Sequence, residues 1–368
     1  MHDIHASPGL WALAWRRLRA DRVAMAAMAI VGAFLLMLVL SASGLIVADW
    51  EDEVAVNYAP PAFLGIAAEP LAGAVPAASQ PSAVPENEFD PLAADIRELK
   101  SEMTSRPTQD VDMYGVKDPL APEMKELRAG MAKAERQAHI ERKPSLLFGA
   151  DKWGHDVIKK TIKGAETSII VGLVAALVAV GLGTLFGAFS GYYGGLVDDF
   201  FNWFYSIFTS IPSILMILTV AAVLQQKGIA TIVLILGLTG WTGPYRLIRA
   251  EYIKHKAREY VMAADAIGAS AWRKMFSHIF PNVSHVALVQ MSILVVGFIK
   301  AEVILSFLGF GVPVGVVSWG SMLNEAQNEL ILGKWWQLTS AAVAMAILVT
   351  AFSLFTDALR DALDPKVK

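Results

Sequence analysis

Long apolar runs without charged residues constrain this sequence more than any other feature. A helix needs about 20 consecutive apolar residues to cross a bilayer, and six stretches meet or approach that length. They cover residues 23–48, 167–197, 200–226 and 228–245, a stretch that begins near Ser284, and residues 335–356. Of the 368 residues, 55% are hydrophobic and 18% are charged, which is too apolar for a soluble domain of this length. The sequence therefore predicts an all-α polytopic membrane protein with six transmembrane helices.

Three of these runs depart from a simple crossing. The second is longer than one crossing needs, which predicts that part of it re-enters the membrane or lies at the interface. Helix-interrupting residues occur in the third and fourth runs, at Pro212, Gly237, Gly240, Gly243 and Pro244. Such residues either act as hinges or allow close helix contacts through small side chains.

The distribution of Lys and Arg predicts the orientation, because short cytoplasmic loops carry the positive excess. Arginines precede the first run, which is too long and lacks the cleavage signature for a signal peptide and is therefore expected to remain as an anchor. Six crossings place residues 1–22, the basic segment 251–282 and the tail 359–368 in the cytoplasm. The expected location is the bacterial inner membrane, with both termini cytoplasmic.

Several classes of chemistry are not expected in this chain. It contains no cysteine, so disulfides, thiolate metal sites and a cysteine nucleophile are excluded. No G-x-x-x-x-G-K-[ST] loop is present, and the hydrophilic pieces are too short for a nucleotide-binding domain. We therefore predict no catalytic residue, no metal site, no cofactor and no nucleic-acid partner.

Residues 49–148 form a hydrophilic block between the first two runs, on the extracytoplasmic side of the predicted topology. From Pro60 the block is rich in Pro, Ala and Ser, which predicts a mobile extended linker. Residues 122–142 are rich in helix formers of mixed charge, so they form either a docking helix or a solvated spacer.

The cytoplasmic segment 251–282 is amphipathic but does not span. Ala263, Ala264 and Ile267 lie at helical spacing, and Gly268 permits a left-handed turn. Residues 271–280 are predicted to restart a helix that Pro281 helps to end. The result is a helix-turn-helix beneath the membrane, with alanines that allow another backbone to approach closely.

This segment resembles the EAA loop of ABC importer permeases, E-A-A, three residues, G, nine residues, I-x-L-P. Met262 replaces the Glu, and residues 278–281 read H-I-F-P, slightly short of the usual register. The resemblance implies a docking site for a separate ATPase, with the acidic contact supplied by Asp265 or Glu259. The predicted coupling residues are Glu259, Met262, Ala263, Ala264, Asp265, Gly268, Ala269, Ser270, Arg273, Ile279 and Pro281. The alternative is an interfacial helix lying on anionic lipid.

Further motifs resemble the dipeptide, oligopeptide and nickel permeases in the same order along the chain. Residues 149–157 read G-A-D-K-W-G-H-D-V, similar to G-T-D-x-x-G-R-D-V, with His155 where Arg is usual. The others are residues 191–195 with Asp198, 306–312, 318–320 and 359–365. The resemblance covers the first run and residues 146–368, and most of residues 60–140 looks like an insertion.

The resemblance implies a C-type subunit with a type I importer fold, in which residues 149–358 form the permease core. It also implies a second homologous permease subunit in a heterodimer, one or two ABC ATPase subunits that bind ATP and Mg, and an extracytoplasmic binding protein. Di- or oligopeptides are the expected cargo, with nickel or another small solute as the alternative. A proton-coupled secondary transporter, a channel or scaffold, and an enzyme are weaker alternatives from other classes.

Lys300 and Glu302 are the ionisable residues of the fifth run, where charges are costly and usually serve a function. At i and i+2 they point in different directions and cannot pair simply. Both are candidates for the translocation pathway. For Glu302 the alternative is an anchor between helices, and for Lys300 it is snorkelling or an acid on the partner subunit.

Overall fold

The computed structural model describes residues 10–65, 142–224, 226–313 and 315–363. This part of the chain is helical, with a 3-10 turn at Ala62–Leu64. The helices are α1 Leu10–Ala20, α2 Arg22–Ala42, α3 Val157–Tyr193, α4 Gly195–Thr209, α5 Ser213–Leu224, α6 Ile229–Thr239 and α7 Thr242–Lys256. They are followed by α8 Glu259–Ala266, α9 Ala271–Arg273, a π-helical turn Lys274–Ile279, α10 Phe280–Phe307, α11 Trp319–Ile331 and α12 Trp336–Leu363.

Four helices of the described residues are long and apolar enough to cross a membrane. They are Arg22–Ala42, Val157–Tyr193, the continuous stretch Ala271–Phe307, and Trp336–Leu363. A fifth span results if α4 and α5, which meet at a bend of 84°, are taken together. The fourth predicted run, residues 228–245, does not form a long helix of its own among the described residues, because its apolar helix α6 has only 11 residues.

The helix α3 is the central element, and it packs against α6, α7 and α10. It begins at Val157 because Asp156 caps it, accepting a 2.8 Å hydrogen bond from the Ile158 amide. The apolar run alone predicted a start at residue 167 and a partly re-entrant segment, whereas the structure shows one helix of 37 residues. Such a helix is about 55 Å long, so its ends extend beyond the hydrocarbon core.

Glycines bring the neighbouring helices close to α3 and α10. A Cβ at Gly183 would lie 2.6 Å from Pro244 Cβ, and one at Gly240 would lie 2.3 Å from Phe298 Cζ. Gly237 is equally tight against Val178. Gly237 and Gly240, which belong to the fourth run, therefore form close helix contacts. This is one of the two roles that the sequence left open for them.

The prediction that Pro281 helps to end a helix is wrong. The helix continues through Pro281 to Phe307, because the preceding residues Lys274–Ile279 form a π-helical turn. In this turn the Phe280 amide bonds to the Met275 carbonyl, one residue further back than in an α-helix. The wider turn accommodates the proline ring and its missing N–H at the first turn of α10.

The two ends of the hydrophilic block form a small packed layer. Lys143 N donates to Val54 O at 3.0 Å, and Ala62 N donates to Leu146 O at 2.7 Å. Pro60 and Pro61 are buried in this layer, so the predicted linker does not begin at Pro60. The remaining linker residues and most of the 122–142 pattern lie outside the described residues.

The predicted cytoplasmic ends contain helical structure. Within residues 1–22, α1 packs its Ala14 and Leu18 side chains against Leu359 and Leu363 of α12. The helix α12 itself continues into the predicted tail and ends at Leu363. The first span, α2, also contacts α12.

Candidate functional site

The predicted coupling segment folds as a helix, a left-handed turn and a second helix. Gly268 has a φ of +76°, and its amide bonds to Asp265 O at 2.9 Å. Ser270 then caps the next helix by accepting a 3.3 Å hydrogen bond from the Arg273 amide. The glycine is suited to this turn because it has no Cβ to clash at positive φ.

One face of the segment is buried and holds it against the rest of the chain. Val261 and Ala264 are buried, as are Met275 and Ile279 of the π-helical turn. The Tyr252 hydroxyl of α7 donates to Met275 O at 3.1 Å. Burial raises the pKa of Tyr252, so this hydroxyl stays protonated and remains a donor. The turn is therefore packed against both α7 and α10.

The opposite face exposes large apolar side chains around the turn. Met262 is 55% exposed, Ile267 is 85% exposed and Trp272 is 60% exposed. Ala263 and Arg273 are also exposed. Exposed apolar side chains of this kind are suited to binding another protein or to lying in the membrane interface, the two alternatives that the sequence left open.

The two predicted acidic residues have different surroundings. The Asp265 carboxylate forms an ion pair with Lys274 of the same segment. Glu259, at the start of α8, is exposed. Both carboxylates are exposed, and Asp265 is the one that is paired within the segment.

An ion pair that the sequence did not predict ties α4 to α7. Arg249 Nε and Nη2 each bond to one oxygen of Asp198 at 2.6 Å. Ser190 of α3 also donates to Asp198 and lies 3.0 Å from the Tyr245 hydroxyl. Asp198 belongs to a family motif, whereas nothing in the sequence distinguishes Arg249 from the other basic residues near it.

Glu302 is fully buried where α3, α10 and α11 meet. Its carboxylate accepts hydrogen bonds of 2.7 Å from Ser168 Oγ and from Ser306 Oγ. Ser168 Oγ in turn accepts a 3.2 Å bond from the Trp319 amide. These contacts have the geometry of an anchor between helices.

Lys300 lies on the exposed face of α10, away from Glu302. It precedes the end of α10 by seven residues, which corresponds to about 10 Å along the helix. The structure does not bring Lys300 and Glu302 together.

A second polar cluster lies at the N-terminal end of α3, opposite the coupling segment. Lys160 Nζ contacts Asp151 Oδ2 at 2.7 Å and Glu325 Oε2 at 2.6 Å, and His155 Nδ1 lies 2.9 Å from Asp151 Oδ2. Burial would raise the pKa of Asp151, but Lys160 and His155 outweigh it and the net pKa is lowered. Glu325 is distant in sequence, so only the G-A-D-K-W-G-H-D-V motif hinted at this cluster.

Two family profiles match the chain. The profile of the binding-protein-dependent transport system inner membrane component matches residues 183–368. The profile of the N-terminal TM domain of oligopeptide transport permease C matches residues 9–61. The second match includes the first residues of the hydrophilic block, up to residue 61, and the first match contains the coupling segment, α10 and α12.

Curated proteins show the same similarity. The dipeptide transport system permease protein DppC of Bacillus subtilis is 36% identical over 221 residues, which cover 60% of this chain and 69% of the relative. The oligopeptide transport system permease protein OppC of the same organism is 37% identical, covering 60% and 72%. OppC of Haemophilus influenzae is 34% identical, covering 60% and 70%. These matches confirm the resemblance seen in the motifs, and the chain belongs to the family of binding-protein-dependent transport system inner membrane components.

Proposed function

We propose that this chain is the permease subunit of an ATP-driven ABC importer that translocates di- or oligopeptides. The similarity to DppC and OppC supports peptides as the cargo, because these relatives carry dipeptide and oligopeptide transport in their names. The chain itself is not an enzyme in this proposal. ATP and Mg bind to separate ATPase subunits.

Six crossings of the bacterial inner membrane follow if α4 with α5 forms one bent span, and α6 with the start of α7 forms another. The helix α6 alone is about 17 Å long, so it needs the residues after Gly240 to complete a crossing. Both termini and the coupling segment are then cytoplasmic. Residues 49–148 are an extracytoplasmic insertion.

The exposed apolar turn at Ile267 is the observation that carries the ATPase-docking role. Its side chains project from a base that is fixed to α7 and α10, so a movement of the docked ATPase is transmitted to those helices. Met262, Ile267 and Trp272 supply the apolar contact, and Glu259 and Arg273 supply charged contacts at its edge. One or two ABC ATPase subunits complete the importer.

The exposed face of α4 supports a second permease subunit. Phe200 is 56% exposed and Trp203 is 61% exposed, and no side chain of α4 is buried among the described residues. A homologous subunit packed on this face gives a heterodimer with the peptide pathway between the two chains. A binding protein delivers the peptide from outside, and lipid covers the remaining apolar surface.

Two matched variants test the docking role. Ile267→Asp places a charge in the proposed contact, and Ile331→Asp places one on a residue of similar exposure, 83%, at the end of α11. We expect both variants to insert into membranes, and only Ile267→Asp to lose co-purification with the ATPase subunits. Retained co-purification of Ile267→Asp would contradict the docking surface.

A further inference from the structure

Glu329 of α11 is a buried acid without a side-chain hydrogen-bond partner among the residues that the structure describes. Its side chain is 1% exposed, and neither carboxyl oxygen has a partner among the described residues, although the Lys152 amide faces it. Leaving an ionised carboxylate in such a place is costly, and a buried acid without a cation usually takes up a proton instead.

A second buried acceptor without a donor among the described residues belongs to Gln337, which contacts Glu325 of α11. Gln337 of α12 is fully buried, and its Nε2 donates to Met322 O and to Glu325 Oε2, both at 3.2 Å. Its Oε1 has no donor among the described residues. Buried acceptors without a donor among the described residues therefore occur on both α11 and α12.

The charges around Glu329 also favour its protonated, neutral form. Glu329 is influenced by Lys160 of α3, by Asp151 of the preceding segment and by Glu325 of its own helix. The charges of Glu329, Asp151 and Glu325 also act on Tyr58, and His155 contacts Asp151. Lys160 already bonds to Asp151 and Glu325. An ionised Glu329 would be a third carboxylate beside the buried Lys160 and the more exposed Lys152, whose Nζ lies 4.0 Å from Glu325 Oε1.

We propose that Glu329 is a proton-binding site, where the neutral acid holds α11 against α3 and α12 and loss of the proton loosens this contact. The site lies at the opposite end of α3 from the coupling segment. It is a property of the folded chain and does not depend on which solute is transported.

The direction of the pH effect follows from burial. Burial raises the pKa of Glu329 from 4.5 to about 7, with Lys160 lowering it and Asp151 and Glu325 raising it. The folded chain then binds this proton of the order of a hundredfold more tightly than the unfolded chain. Stability from the neutral acid is therefore full below about pH 4.5, falls as the pH rises towards 7, and is level above that value.

The test uses the full chain, purified with the subunits that accompany it and unfolded by heat from pH 5 to pH 8. We expect the midpoint of the wild-type chain to fall across this range. Glu329→Gln, which keeps the shape without the titration, should remove most of that fall. An unchanged slope in a folded Glu329→Gln chain would overturn the proposal.

A spectroscopic measurement keeps the proposal testable if that variant does not fold. Infrared difference spectra between pH 5 and pH 8 should show the carbonyl stretch of a buried carboxylic acid that ionises near pH 7. Glu325→Gln removes a negative charge close to Glu329 and should move this midpoint to lower pH. Absence of the band, or a midpoint that Glu325→Gln leaves unchanged, would also overturn the proposal.

Discussion

Asp198 and Arg249 form a two-bond ion pair, with both nitrogen–oxygen distances at 2.6 Å, between the start of α4 and the middle of α7. The pair is partly buried and Ser190 donates to the same carboxylate. Because α7 leads into the coupling segment, this contact connects the bent α4–α5 pair to the proposed ATPase-docking surface.

Removing one partner of this ion pair should destabilise the chain. Arg249→Met leaves Asp198 without its cation, and we expect a loss of about 2 kcal/mol, typical of hydrogen bonds to charged groups. Lys254→Met is the matched control, since it breaks the exposed Lys254–Glu251 pair, which contributes about 0.5 kcal/mol. Thermal unfolding in detergent distinguishes the two, and equal effects would contradict a special role for Asp198 and Arg249.

Two glycines of α3 should respond differently to alanine. At Gly183 the added Cβ would lie 2.7 Å from the Trp241 backbone oxygen, whereas at Gly181 nothing lies within 4 Å. We expect Gly183→Ala to cost about 1–3 kcal/mol through overpacking, and Gly181→Ala to be neutral or slightly stabilising. The midpoint of thermal unfolding measures both. A neutral Gly183→Ala would show that α3 and α7 can separate without cost.

The turn at Gly268 should depend on backbone conformation alone. A Cβ there meets nothing within 4 Å, but φ is +76°, so Gly268→Ala carries about 1 kcal/mol of strain. Gly268→Asn should be milder, because Asn tolerates the left-handed region. We expect weaker ATPase co-purification with Ala than with Asn, and the reverse order would contradict this role of the turn.

Substitutions at Glu302 and Lys300 should show whether each residue contributes to stability or to peptide uptake. Glu302→Ala leaves Ser168 and Ser306 without their acceptor and should cost about 3 kcal/mol. Glu302→Gln keeps an acceptor and should retain most stability and peptide uptake. Lys300→Met should leave the unfolding midpoint nearly unchanged. If Glu302→Gln kept full stability but abolished uptake, Glu302 would belong to the pathway and not to an anchor.

Local patterns in the sequence predicted much of this molecule. The apolar runs located the long helices, and the Ala263–Ala264 pair with Gly268 predicted the helix and turn of the coupling segment. The predicted helix boundaries were wrong at two places. Pro281 signals a helix end, but the π-helical turn before it removes the conflict, and Asp156 begins α3 well before the apolar run.

The sequence alone did not predict contacts between residues that lie far apart along the chain. Lys160 and Glu325 are 165 positions apart, and only the packing of α11 on α3 brings them together. The same packing buries Glu329, which reads in the sequence as an ordinary surface acid of an amphipathic helix. Asp198 and Arg249 meet for a similar reason, across the close contact of α3 with α7.

Uptake of a labelled peptide into vesicles tests the central claim most directly. The chain is reconstituted with its second permease subunit, its ATPases and its binding protein, and accumulation is measured with ATP and with a nonhydrolysable analogue. We expect peptide to accumulate only with ATP, and uptake to fall at least tenfold with Ile267→Asp but not with Ile331→Asp. Uptake that continues without ATP hydrolysis, or that is the same in both variants, would contradict a peptide importer driven through the turn at Ile267.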